Sequence, residues 1–184
     1  GTATLSGTTS KPLTASVADF TGAGITLTGK ADTYTLTYAF SGYASATQDI
    51  TLTAGAATKV VVTTGVAGFV NRANFTTQPV AKIQDASGNT VTTSTATVAV
   101  TISSGTLTGT TSLAAVAGVA DWTTAATALG KYGTIGSKTL IFASSGLTSD
   151  TTQVFTLTHG AATQLAITQS ASPATGSLYS PSGP

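Results

Sequence analysis

The chain has 184 residues and a formal net charge of +1, from six Lys, one Arg and six Asp, with no Glu, Cys or Met. Charged residues make up 7%, while Thr (42) and Ser (19) together form a third of the chain; an average soluble domain is roughly 25% charged. This composition excludes disulfide frames, thiol nucleophiles, iron–sulfur clusters and thiolate zinc sites, and leaves no basic cluster to neutralise a run of phosphates. No stretch approaches the roughly 18 consecutive apolar residues of a membrane helix. A hydrophobic fraction of 41% is enough to bury a core, and the shortage of long helix formers beside abundant Thr and Val favours strands. Gly1-Thr2-Ala3-Thr4 carries neither an initiator Met nor a signal-peptide pattern, so the chain reads as a piece cut or processed from something longer.

In chain order, the first clear element is Tyr34, Leu36, Tyr38 and Phe40 alternating with Thr35, Thr37 and Ala39, the period-two pattern of a half-buried strand. Ile50 and Leu52 mark the next. From residue 58 onward about seven strands are predicted, over 58–64, 75–85, 95–103, 105–109, 116–123, 137–144 and 151–158. In the third of these, Val98, Val100 and Ile102 alternate with Thr97, Ala99 and Thr101. Turn signals lie between them at Asp85-Ala86-Ser87-Gly88-Asn89, Ser103-Ser104-Gly105 and Ser144-Ser145-Gly146. Gln78-Pro79 leads extended chain into a strand, since the residue before proline avoids helix. Residues 113–130 are Ala-rich, but their counterparts at 11–29 contain Pro12, Gly22, Gly24 and Gly29, so strand and loop is the reading there and no helix of useful length is expected.

Those counterparts come from an internal repeat. Leu5-Ser6-Gly7-Thr8-Thr9-Ser10 lines up with Leu107-Thr108-Gly109-Thr110-Thr111-Ser112, and Val17-Ala18-Asp19-Phe20 with Val119-Ala120-Asp121-Trp122. Thr35-Leu36-Thr37-Tyr38 falls on Thr139-Leu140-Ile141-Phe142, and Gly55-Ala56-Ala57-Thr58 on Gly160-Ala161-Ala162-Thr163. The offset drifts only from 102 to 105. Residues 1–57 therefore read as the C-terminal half of one repeat, 58–162 as a complete repeat, and 163–184 as the start of a third. Joined, the two end pieces would still lack the equivalent of Pro79 to Ile102, so the chain is read as a window on a longer array. The alternative is a subunit completed by strands of a neighbouring chain. About 104 residues with seven short, one-face-apolar strands is the arithmetic of an all-β, immunoglobulin-like sandwich, here in tandem.

Phe75-Thr76-Thr77-Gln78-Pro79-Val80, running into Ile83-Gln84-Asp85-Ala86-Ser87-Gly88-Asn89-Thr90-Val91, resembles bacterial Ig-like tandem repeats. So does Gly105-Thr106-Leu107-Thr108-Gly109-Thr110 followed by Gly118-Val119-Ala120-Asp121-Trp122. These are the invasin/intimin-like modules of surface adhesins and S-layer-associated proteins. The resemblance implies a stalk or spacer role outside the cell and carries no set of functional residues.

Accordingly no catalytic, cofactor-binding or metal-binding residue is assigned, and no enzyme is expected. His159, the sole His, falls at a strand end before Gly160 and reads as a polar loop residue. Asp19 and Asp121 sit in equivalent places beside Phe20 and Trp122. A glycosidase needs two carboxyls roughly 5–10 Å apart, whereas equivalent positions in successive sandwiches lie ~35–40 Å apart by strand rise; each Asp is expected instead to accept backbone hydrogen bonds. Asp85 with Gly88 and Asn89 is explained by turn chemistry, with interdomain calcium at Asp49, Asp85 or Asp150 the weaker alternative. No Gly-x-Ser-x-Gly elbow occurs. Tyr43, Tyr132 or Trp122 would serve a carbohydrate platform, but Trp122 aligns with Phe20 and is expected in the core. Asn74-Phe75-Thr76 is a formal glycosylation sequon, and the many Ser and Thr offer O-glycan sites.

Low charge also means little self-repulsion and weak protection of strand edges, a property suited to a fibre or layer outside the cell. The leading expectation is thus a structural segment of a long extracellular, cell-surface protein (stalk, surface filament or S-layer component) that associates with neighbouring copies, with no nucleic-acid partner and no membrane span in this segment. An adhesin or carbohydrate-binding module that meets a cell-surface glycan is the alternative, and a phage or virion decoration domain a weaker one.

Overall fold

The computed structural model describes residues 1–162 and 164–166. The start of a third repeat expected over 163–184 lies outside the described residues, 164–166 apart. The described chain is all β, with several small antiparallel sheets of the β-sandwich class and one 3-10 turn, Trp122–Thr124.

Two strand pairs come first. β1 (Ala3–Ser6) pairs with β2 (Thr26–Gly29), and β3 (Asp32–Tyr38) with β4 (Ala46–Leu52). Ten strands follow: β5 (Lys59–Thr64), β6 (Ala73–Asn74), β7 (Val80–Gln84), β8 (Thr97–Ile102), β9 (Thr106–Thr108), β10 (Ser112–Ala114), β11 (Val119–Asp121), β12 (Gly130–Tyr132), β13 (Gly136–Ala143) and β14 (Asp150–Leu157). They form a four-stranded sheet, β10-β8-β13-β14, and two three-stranded sheets, β11-β7-β5 and β6-β12-β9.

The alternation read from the sequence places the core. Val98 and Val100 of β8, Leu140 and Phe142 of β13, and Phe155 and Leu157 of β14 meet Val60 of β5, Ala81 and Ile83 of β7, and Ala120 of β11. Leu140 and Phe142 are fully buried, each contributing roughly 1.5–3 kcal/mol by removal from water. Trp122 stands edge-on to Phe142 with ring centroids 5.7 Å apart, and its Nε1 donates to the Thr110 carbonyl at 2.8 Å. Each of the seven expected segments contains a strand, but 75–85 is strand only from Val80. Before it, Gln78 is spent as a side-chain splint: its amide donates to the Phe75 and Leu129 carbonyls (2.8 and 3.1 Å), and the Leu129 N–H donates to its Oε1 (2.8 Å). β6, β10 and β12 are additional, and two or three residues are too few to display a period.

The register of the first pairs recurs later. Ser6 faces Thr26 as Thr108 faces Gly130, and Asp32 faces Leu52 as Gly136 faces Leu157. Thr14 and Val17 bridge around Ala15 and Ser16, both at positive φ (50° and 66°); Val116 and Val119 do so around Ala117 and Gly118 (48° and 75°), the left-handed pair of a primed hairpin turn. At Gly7 a Cβ would lie 2.3 Å from the Gly24 carbonyl oxygen, and at Gly109 one would lie 2.0 Å from that of Ala128. Only glycine lets the backbone come this close.

Candidate functional site

Two features stand out: a polar clasp joining residues 1–57 to the sandwich over 59–157, and an apolar face left open on the first part.

The clasp is the turn after β7. Asp85 closes it internally: its N–H donates to the Asn89 carbonyl (3.0 Å), and its carboxylate accepts from the Asn89 N–H (2.8 Å) and side-chain amide (2.9 Å). The same turn then reaches outward. Asp85 Oδ2 accepts the Gly55 N–H at 2.9 Å. Asn89 Oδ1 accepts the Ala31 N–H at 2.8 Å while its Nδ2 donates to the Gly29 carbonyl at 3.0 Å, and Lys30 Nζ donates to the Gly88 carbonyl at 3.1 Å. Both side chains are buried, Asp85 to 5% exposure and Asn89 to 8%. Burial raises the Asp85 pKa, but hydrogen bonds from the Asn89 side chain and the Gly55, Asn89 and Ser87 backbone outweigh it and hold it at about 2. Such a carboxylate is already saturated with donors, which argues against calcium there.

The open face is the inner side of β1 to β4. Phe20, Leu36 and Tyr38 occupy the positions that Trp122, Leu140 and Phe142 hold in the sandwich. Those three are at most 1% exposed, but Tyr38 is 42% exposed and Phe40 beside it 51%. In the sandwich β5 and β7 of the facing sheet cover this side; here it bounds a cleft of ≈ 980 Å³ lined by Leu5, Leu13, Phe20, Ile25, Leu36 and Phe40 among others.

The remaining residues singled out from sequence are dispersed. Asp19 and Asp121 each cap a turn, accepting the Thr21 and Thr123 N–H at 2.8 and 2.9 Å. Asp150 accepts from Val62 N–H (2.7 Å) and from Thr152 N–H and hydroxyl (2.8 and 2.7 Å); burial raises its pKa and these donors lower it, with a net fall. Asp49 accepts the Thr35 hydroxyl at 2.6 Å. His159 is exposed past the end of β14. Tyr43 is 74% and Tyr132 44% exposed, and Asn74 is exposed in β6. Among the described residues no three His, Cys, Asp or Glu cluster as a metal would require, and no helix is long and apolar enough to cross a membrane.

Sequence reasoning missed Lys131, which is buried in β12 with no carboxylate partner among the described residues. Its Nζ donates to the Gly68 and Ala73 carbonyls and lies 4.1 Å from the centroid of the Phe75 ring. Burial pushes its pKa down. The register opposite Leu107 puts it where Leu27 stands opposite Leu5, so the repeat offset carried the signal.

No protein-family model matches the chain, and no curated protein matches it. Among solved structures it is similar to a beta-glycosidase from Bacteroides vulgatus, at 13% identity and a TM-score of 0.41, over 84% of this chain. The match spans about a fifth (21%) of that protein's length.

Proposed function

We propose that the chain is a non-catalytic structural segment of a long extracellular protein built from tandem Ig-like sandwiches, serving as a stalk, surface filament or layer component. The observation that carries this reading is the clasp: the turn of one unit grips the backbone of the preceding unit. The recurrence of register, primed turn and a glycine in close backbone approach (Gly7 and Gly109) at the sequence offset of 102 to 105 supports it further. So does the open face, whose cover in the sandwich is made by β5 and β7, in the part that residues 1–57 lack. Cell-surface location and association with neighbouring copies belong to the same proposal, the low charge supporting the second.

The test is the native protein from its source. A mass several times that of these 184 residues, further peptides repeating at about 104 residues, and an elongated particle at the cell surface with beads ~35–40 Å apart are expected. A compact particle inside the cell would overturn the proposal. The adhesive or carbohydrate-binding alternative has one observation in its favour, the exposed rings of Phe40 and Tyr43, 5.5 Å apart. A rise in melting temperature with added glycan would favour it.

A further inference from the structure

We infer that the end of the sandwich carrying Ile135 and Gly160 is a seat for the Asp85–Asn89 turn of a further copy of the 58–162 unit. The inference rests on the tandem reading and specifies how one unit binds the next.

Ala31 and Gly55 are the two backbone N–H donors captured at the observed clasp, by Asn89 and Asp85. Their counterparts follow from the strand register. Ala31 precedes Asp32, which pairs with Leu52; Ile135 precedes Gly136, which pairs with Leu157. Gly55 lies three residues beyond Leu52, and Gly160 three beyond Leu157. The Ile135 and Gly160 N–H groups have no hydrogen-bond partner among the described residues, and both residues are exposed, Ile135 to 50%. Thus the two donors that Asp85 and Asn89 take up in one place stand ready in the equivalent place.

The seat differs in two ways. Gly133, the counterpart of Gly29, already accepts from Asn71 Nδ2 at 2.9 Å and donates to Asn71 Oδ1 at 3.1 Å. Its carbonyl keeps a second lone pair for an incoming amide. Lys30 is replaced by Thr134, whose hydroxyl is engaged by Lys138, so the Lys30–Gly88 bond has no counterpart and three of the four bonds remain. The tether matches. Gly160-Ala161-Ala162-Thr163 repeats Gly55-Ala56-Ala57-Thr58, and in the observed clasp that short link runs straight into β5, whose partner β7 carries the turn. A following unit is thereby held at high effective concentration over the seat.

The test keeps residues 1–162 and replaces 163–184 by a second copy of 58–162. Amide hydrogen exchange is then read at Ile135 and Gly160 in the parent and extended chains. Exchange should slow by at least about tenfold in the extended chain, as at Ala31 and Gly55 in both, and Asn89→Ala in the added copy alone should restore the fast rate at Ile135, whose counterpart Ala31 donates to Asn89. Unprotected Ile135 and Gly160 beside a folded added copy, its own Trp122 buried by fluorescence, would overturn the inference. An added copy that fails to fold also counts against it, because the first copy folds directly after the same Gly-Ala-Ala link. The tandem reading stands or falls separately, on the mass of the native protein.

Discussion

Phe142 and Tyr38 occupy the same place on matching strands, and removing each measures how far the first face is open. Phe142 is fully buried against Trp122; Phe142→Ala leaves a cavity in a close-packed core and should cost about 3–5 kcal/mol. Tyr38 is 42% exposed, touches Phe20 edge-on at 6.4 Å and donates its hydroxyl to Gln48 Oε1 at 3.0 Å. With about half its area already in water, Tyr38→Ala forfeits roughly 1 kcal/mol of burial and ~0.5 kcal/mol of ring contact. The exposed hydrogen bond adds little, because water replaces it. The two costs should therefore differ by at least about 1.5 kcal/mol, a tenfold difference in equilibrium constant. Urea unfolding followed by Trp122 fluorescence reports the sandwich, and amide exchange at Leu36 reports the first part. Equal costs for the two variants would refute the reasoning, since the first face would then be covered within this chain. In a longer protein whose preceding residues complete the first unit, Tyr38→Ala should become as costly as Phe142→Ala.

Trp122→Phe installs the residue that stands at position 20. It should destabilise the sandwich by about 1.5–3 kcal/mol, from a residual cavity and an unpaired Thr110 carbonyl, read as a lowered urea midpoint. Asp85, whose pKa falls from 3.8 to about 2 on folding, contributes stability that is fully present above the unfolded value and lost as pH falls from about 4 towards 2. Asp85→Asn should flatten the acid limb of a stability–pH profile without abolishing it, because Asp32 and Asp150 are also lowered; an unchanged limb would remove Asp85 from the clasp. Gly109→Ala puts a methyl 2.0 Å from the Ala128 carbonyl oxygen at φ +82° and should cost more than about 2 kcal/mol by the same denaturation.

The strands of the core were legible because Leu140 and Phe142, or Val98 and Val100, sit on one side of an uninterrupted period-two pattern. The three strands that escaped from residue 58 onward, β6, β10 and β12, owe their pairing to long-range partners and have little periodicity of their own. The clasp was half legible. Asp85, Gly88 and Asn89 announce a turn, and a turn is there, but the bonds that matter reach 30 residues back to Gly55 and 58 back to Ala31. Their acceptors and donors on that side are backbone groups, which every residue carries and no sequence pattern marks. Lys131 was hidden for the opposite reason. A lysine in a strand of only three residues reads as solvent-facing, and only its alignment with Leu27 exposes the exception.

Recognition of backbone by side chain has a consequence for how such a joint tolerates change. Among the described residues the ion pair is the exposed one between the Gly1 N-terminus and Asp32, and the clasp uses no paired charge across it. Its one carboxylate is stabilised by N–H donors and not by a counter-charge, so added salt has little to screen. Only the gripping turn must keep its side chains, Asp85 and Asn89 with a glycine at φ +79° between them. Apart from the Lys30 ammonium on the Gly88 carbonyl, the gripped side supplies main-chain N–H and C=O groups, which survive substitution. Ala31 against Ile135 and Lys30 against Thr134 show side chains that have diverged between equivalent positions without altering those groups. In the array we propose, units joined this way can change their surfaces freely, unit by unit, as long as each retains one five-residue turn.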